Sequence, residues 1–267
     1  MFELIRNGLL TGLRLNATRA LLLLGLAVIG GALLASAFSG RQPMTVGLDV
    51  GFSGLRLVLL LLALMWVQLL LGQDIERKTV YFMLAYPYTR GQFLFSRFAT
   101  LALLCAGATL LLGMALWLVL RLANWDYVQL TMPQLDYRYA LAMLGIWLDL
   151  LVVLAFSVLL CSLSTTPFLP FLMGLAFALA ARGLGTTFDF LRDGRAADPE
   201  QARLFGPIVE YTFMWLPDLS RLDWRTFTLY DVPPTPEPML WAVAMALAYV
   251  TAMLALANVL FQRRDFT

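Results

Sequence analysis

The chain contains no histidine and a single lysine, Lys78. The missing imidazole excludes Ser–His and Cys–His nucleophile pairs and any histidine-held metal. No spaced cysteine or carboxylate cluster replaces it, so no resident metal is expected. The lone lysine follows Arg77 rather than glycine. A phosphate-binding loop needs a Gly-Lys pair, in which the lysine reaches the phosphates from a glycine-rich cradle. The chain therefore lacks that route to ATP hydrolysis. Both cysteines, Cys105 and Cys161, lie inside apolar runs and read as small buried hydrophobes, not as a disulfide framework. Charge is also scarce, at 13% of residues, where soluble domains carry about 25%. A net charge of +2 gives no reason to expect a nucleic-acid partner.

What fills the chain instead is apolar sequence, at 61% of residues and a mean hydropathy of +0.78. A bilayer demands that much apolar surface, and about 20 consecutive apolar residues make one span. The runs predict six spans, at 19–38, 55–72, 98–120, 139–161, 167–185 and 239–261. The expected class is an all-α polytopic membrane protein, one transmembrane domain over residues 1–267. The fifth run starts among Pro167 and Pro170 and ends at Gly183 and Gly185. It is kept as a helix because proline is tolerated in a first turn. The first run follows an amphipathic segment and shows no clear cleavage site, so it is expected to be retained.

Six spans put both termini on one side. Arg6, Arg14, Arg19, Arg77, Lys78, Arg90, Arg97, Arg263 and Arg264 fall on that side. Arg41, Arg56, Arg121 and Arg138 fall in the short loops opposite. Positively charged short loops stay in the cytoplasm, so the termini and the loop 73–97 are expected there. Residues 186–238 then form a long outer segment. Asp198-Pro199-Glu200 in it reads as a helix start, and "IVEYTFMWL" is too apolar for a disordered tail. The segment is expected to be an ordered cap, with Trp215 and Trp224 as membrane-surface anchors. Residues 2–14 read as an amphipathic helix in the membrane interface. Phe2, Ile5, Leu9 and Leu13 are on its apolar face.

The most charged and punctuated stretch is "GQDIERKTVYFMLAYPYTRGQFLFSRF", residues 72–98. Asp74, Glu76, Arg77 and Lys78 follow the second span with mixed sign. A short helix over "TVYFMLA" is stopped by Tyr86-Pro87, since the residue before proline avoids the α region. Thr89 and Gln92 then have the spacing of a capping box, which restarts a helix into the third span. The product is a rigid projection with aromatic residues beside charges, suited to a protein interface. An ordinary positively charged loop is the plainer alternative.

This arrangement resembles the permease subunit of ABC transporters of the ABC type 2 family. The residues that carry the resemblance are Glu76 after the second span, Pro87 and Arg90, with Arg97 where the family usually has lysine. The family's frequent Gly-Thr after the acid is Lys78-Thr79 here. The interface helix, the span number, the long segment before the last span and the C-terminal Arg263-Arg264-Asp265 also fit. The resemblance implies that the 73–97 loop holds a coupling helix that docks on a separate ATPase subunit. Asp74, Glu76, Arg77, Lys78, Tyr86, Pro87 and Arg90 would form that interface. It further implies two ATPase copies, a second permease copy and ATP with Mg held by the ATPase rather than by this chain. The membrane would be the bacterial inner membrane, and an outer, periplasmic partner is open. Within the family, Tyr86, Pro87, Arg90, Gly91 and Gln92 look closest to permeases of the copper-enzyme maturation type, which act beside nitrous oxide reductase. A membrane assembly factor without transport and an intramembrane enzyme using Asp149 are the alternative readings.

Inside the spans, Asp149 stands out in "GIWLDLLVVLAF". A mid-bilayer carboxylate costs about 2.5–3.5 kcal/mol and must face a partner or a cavity. Either it lines a substrate path or it is held by a hydrogen bond, with Gln68 and Asn258 as the expected partners. Those two residues otherwise read as helix–helix glue.

Overall fold

The computed structural model describes residues 2–76, 89–123, 133–164, 166, 168–192 and 216–263, without the side chains of 75, 76, 184 and 186–192. All regular structure among the described residues is helical. The elements are α1 (Phe2–Arg14), α2 (Asn16–Phe38), α3 (Pro43–Val67), a π-helical turn (Gln68–Gly72) and α4 (Gln73–Glu76). They continue with α5 (Arg90–Leu122), α6 (Tyr137–Leu163), α7 (Leu169–Arg192), a 3-10 turn (Leu219–Leu222), α8 (Arg225–Leu229) and α9 (Pro236–Arg263).

Among the described residues, five helices are long and apolar enough to cross a membrane: Asn16–Phe38, Pro43–Gly72, Arg90–Leu122, Tyr137–Leu163 and Pro236–Arg263. α7 is a continuous helix, but its apolar part is the shorter Leu169–Gly183. The second span also starts earlier than expected. Pro43 sits in the first turn of α3, where its missing N–H costs nothing, so the helix begins well before Leu55. Arg56 therefore lies inside a helix and not in a loop.

α6 and α3 are the most enclosed long helices, and α2 and α9 the most peripheral. α2 folds back on α3, and α9 packs along α6. Ring contacts fasten neighbours: Phe52 to Tyr139 between α3 and α6, Phe156 to Phe177 between α6 and α7, and Phe93 to Phe261 between α5 and α9. Gly174 admits α7 to the junction of α3 and α6. A Cβ there would lie 2.5 Å from Ser157 Oγ and 2.7 Å from a Leu64 methyl. Gly113 works likewise against Met143, whereas Gly107 faces open space.

Both chain ends lie at one end of the bundle. Arg90, at the start of α5, donates to the Gln262 carbonyl in the last turn of α9 at 3.0 Å. α1 packs on α5 through Gly8 and Gly12, which sit against Arg97, Thr100 and Leu104. That glycine seam is the buried face, while Phe2 and Leu13 are exposed. The corner from α1 to α2 is pinned by polar bonds. Thr18 donates to the Gly12 carbonyl at 2.6 Å, and the Trp66 indole donates to Thr18 at 2.8 Å.

The segment 216–235 closes the opposite end as a cap. Leu219, Leu222, Trp224 and Leu229 are all buried. Gly145 on α6 makes the close approach: a side chain there would collide with the Leu222 carbonyl and press on the Trp224 ring. Trp224 is thus an interior residue whose indole bonds the Arg221 carbonyl at 2.9 Å, and not a surface anchor. Of "IVEYTFMWL", residues 208–215 lie outside the described residues. Trp215 and the Asp198 helix start lie outside the described residues.

Candidate functional site

A chain of six charges joins three membrane helices to the cap. Asp149 on α6 is fully buried. Its Oδ2 accepts from Arg56 Nε on α3 at 2.8 Å and from Arg182 Nε and Nη2 on α7 at 3.1 and 2.6 Å. Arg56 Nη1 reaches Asp223 of the cap at 3.0 Å. Asp223 also holds Arg225 Nε at 3.1 Å. Arg225 Nη1 ends the chain on Asp49 at 3.0 Å and Ser53 at 2.8 Å, back on α3. Three arginines thus face three aspartates, and the network is neutral as a whole.

Helix geometry explains the meeting. Arg56 lies about 13 residues past Pro43, Asp149 about 12 past Tyr137 and Arg182 about 13 past Leu169. At 1.5 Å per residue, Arg56 and Asp149 are roughly 18–20 Å from the cap end of α3 and α6, and Arg182 is roughly 20 Å from the opposite end of the antiparallel α7, so the three meet near mid-length. Each is isolated in apolar sequence. An ion in such a place must be paired and hydrogen-bonded. Arginine suits the task because its fork is weakly hydrated and permanently charged.

The inner part is unevenly satisfied. Asp149 Oδ2 takes all three bonds, while Oδ1 is buried without a partner, and so is Arg56 Nη2. Two guanidiniums from different helices therefore converge on one carboxylate oxygen. Asp149 lies at the crossing of α3, α6 and α7.

The expected partners of Asp149 are elsewhere. Gln68 lies in the π-helical turn with its Oε1 buried and unpaired. Asn258 lies near the C-terminal end of α9, where its Oδ1 accepts from Gln262 at 3.3 Å and faces Gly91. An amide cannot compete with two cations for a buried carboxylate, which is why the arginines take it. Arg182, Asp223 and Arg225 escaped notice as site residues, and Arg56 was assigned to a loop. The available signal was the cost of a lone ion in an apolar run: Asp149 required cations at matching depth.

At the other end of the bundle, the capping box forms as expected. Gln92 N–H donates to Thr89 Oγ1, and Thr89 N–H to Gln92 Oε1, both at 3.2 Å. Asp74 is paired with Arg97 Nη2 at 2.5 Å, and Arg97 also lies over the Phe93 ring. Arg90 is used inside the chain, on Gln262. Arg77, Lys78, Tyr86 and Pro87 lie outside the described residues, as does the Glu76 side chain. Among the described residues no group of three or more His, Cys, Asp or Glu could hold a metal ion.

Comparison with known proteins finds no matching family model and no similar curated protein.

Proposed function

We propose that the chain is the membrane-spanning permease subunit of an ABC transporter of the ABC type 2 family, driven by a separate ATPase. The observation that carries this is the 72–98 stretch: mixed charges, a proline stop and a capped restart, in a chain that has no phosphate-binding loop of its own. The paired Thr89–Gln92 cap and the buried Arg97–Asp74 bridge support it. They fix the chain just before and just after residues 77–88, which lie outside the described residues.

In this reading α7, a 24-residue helix, is the fifth of six spans. The termini and the 73–97 loop are cytoplasmic. Arg56 and Arg97 both lie inside helices rather than in loops, and the other eight positive residues of that side still outnumber Arg41, Arg121 and Arg138. The cap then faces outward and closes the exit between paired permeases. Two permease and two ATPase copies form the working unit in the bacterial inner membrane. The ATPase holds ATP and Mg. The finer resemblance favours a role in copper-enzyme maturation, with the stroke acting on a cargo or on an outer partner.

The test is Mg-dependent ATP hydrolysis by the tagged chain purified from its own membranes. The expected result is hydrolysis in the co-purified assembly and none once the chain is separated from its partner. Glu76→Lys should lower the hydrolysis about tenfold while the chain keeps its melting temperature, because mixed-sign interface charges set docking more than folding. Hydrolysis by the isolated chain would overturn the reading.

A further inference from the structure

The cap end holds an unused cation donor beside a cavity. Arg56 Nε and Nη1 are bonded, but Nη2 is buried with no acceptor. A buried donor left unmade is costly, and native structures keep few of them. Other atoms of Arg56, not the buried Nη2, line a cavity of about 170 Å³ between α3, α6 and the cap, with Phe52 and Ile146 as apolar walls and Ser53, Arg56, Asp223 and Arg225 as its polar lining. That is well above the ~10–15 Å³ that one water needs. Two guanidiniums share the lining with one carboxylate, and Asp223 is already divided between them.

We propose that this cavity binds an oxyanion, the phosphate or carboxylate group of a small solute or of an amphiphile. The Arg56 and Arg225 guanidiniums and the Ser53 hydroxyl are its donors. Asp223 is the built-in occupant with which the anion competes. The planar fork of arginine matches both oxyanions. Phe52 and Ile146 leave room for an apolar continuation of the ligand. The inference stands on this geometry and needs no ATPase, so its failure and that of the permease reading are separate events.

Calorimetric titration of the purified chain in neutral detergent tests it. The probes are inorganic phosphate, dihexanoyl phosphatidic acid and, as the uncharged-overall control, dihexanoyl phosphatidylcholine. Saturable binding of either anionic probe over the control is expected. Phosphate binding identifies a free anion as sufficient, and binding of phosphatidic acid alone identifies a lipid-like ligand. Asp223→Asn should tighten binding about tenfold by removing the competitor, and Arg225→Gln should weaken it about tenfold. Should Asp223→Asn fail to fold, Arg225→Gln and Ser53→Ala carry the test, both with weaker binding. Absence of saturation by both anions, or affinities unmoved by these variants, would overturn the proposal.

Discussion

Asp149→Asn is expected to destabilise the chain by about 3–5 kcal/mol, the cost of breaking a buried ion pair by removing one partner. The amide keeps the shape of the side chain but leaves Arg56 and Arg182 facing each other without a countercharge. Only Asp223 would remain on Arg56, and Arg182 would lose the acceptor of both its bonds. A loss of this size is comparable with the whole margin of many domains. The variant should accumulate poorly and melt far below the wild type. The sequence alone suggests the opposite, since Asn preserves size and hydrogen bonding. The difference lies in having two cations on the carboxylate where an amide partner was expected. Adding Arg182→Gln should restore more than half of the lost stability, because one anion and one cation are then removed together. A melting temperature for Asp149→Asn equal to the wild type would remove the charge network from the account.

The second large effect concerns Arg97. It is buried beneath α1, bridges to Asp74 and lies over Phe93. Arg97→Ala should cost about 3 kcal/mol, at the lower end for a broken buried pair because Asp74 is partly exposed. If the proposed permease reading holds, it should also abolish stimulation of the partner ATPase, because Asp74, just before the loop, loses its partner. Arg97→Lys keeps the charge but loses the fork, so a cost of about 1 kcal/mol and partial coupling are expected. The double exchange Asp74→Arg with Arg97→Asp should recover part of both. Thermal melts in detergent with ATPase assays on the same preparations check this. Normal coupling in Arg97→Ala would mean that the pair is not the anchor.

How much was legible in the sequence follows the range of the interactions. The capping box is local, three residues apart, and formed as read. Long apolar runs gave α2, α5, α6 and α9 to within a few residues, except that α5 begins earlier, at Arg90, where the capping box had placed its start. Asp149 was conspicuous because a carboxylate in such a run has no cheap explanation. Its partners were not, because they come from helices remote in sequence, and periodicity carries no pairing information. Arg56 hid at the edge of a run whose helix starts earlier, at a proline. Arg182 hid at the tail of a run that glycines seemed to end. The burial of Trp224 was also missed. It depends on Gly145 of another helix, and a lone glycine in an apolar run is weak as a signal.

The central claim is that ATP hydrolysed at one end of the assembly moves the cap at the other. The most direct measurement is the distance between spin labels on Tyr230 of the cap and Leu144 of α6, both exposed, with Cys105 and Cys161 buried away from the label. The assembly in lipid nanodiscs would be compared with and without Mg-ATP. The account predicts a distance distribution that shifts with Mg-ATP, and that stays fixed when the chain carries Glu76→Lys. An assembly that hydrolyses ATP at its normal rate while that distance never changes would contradict it.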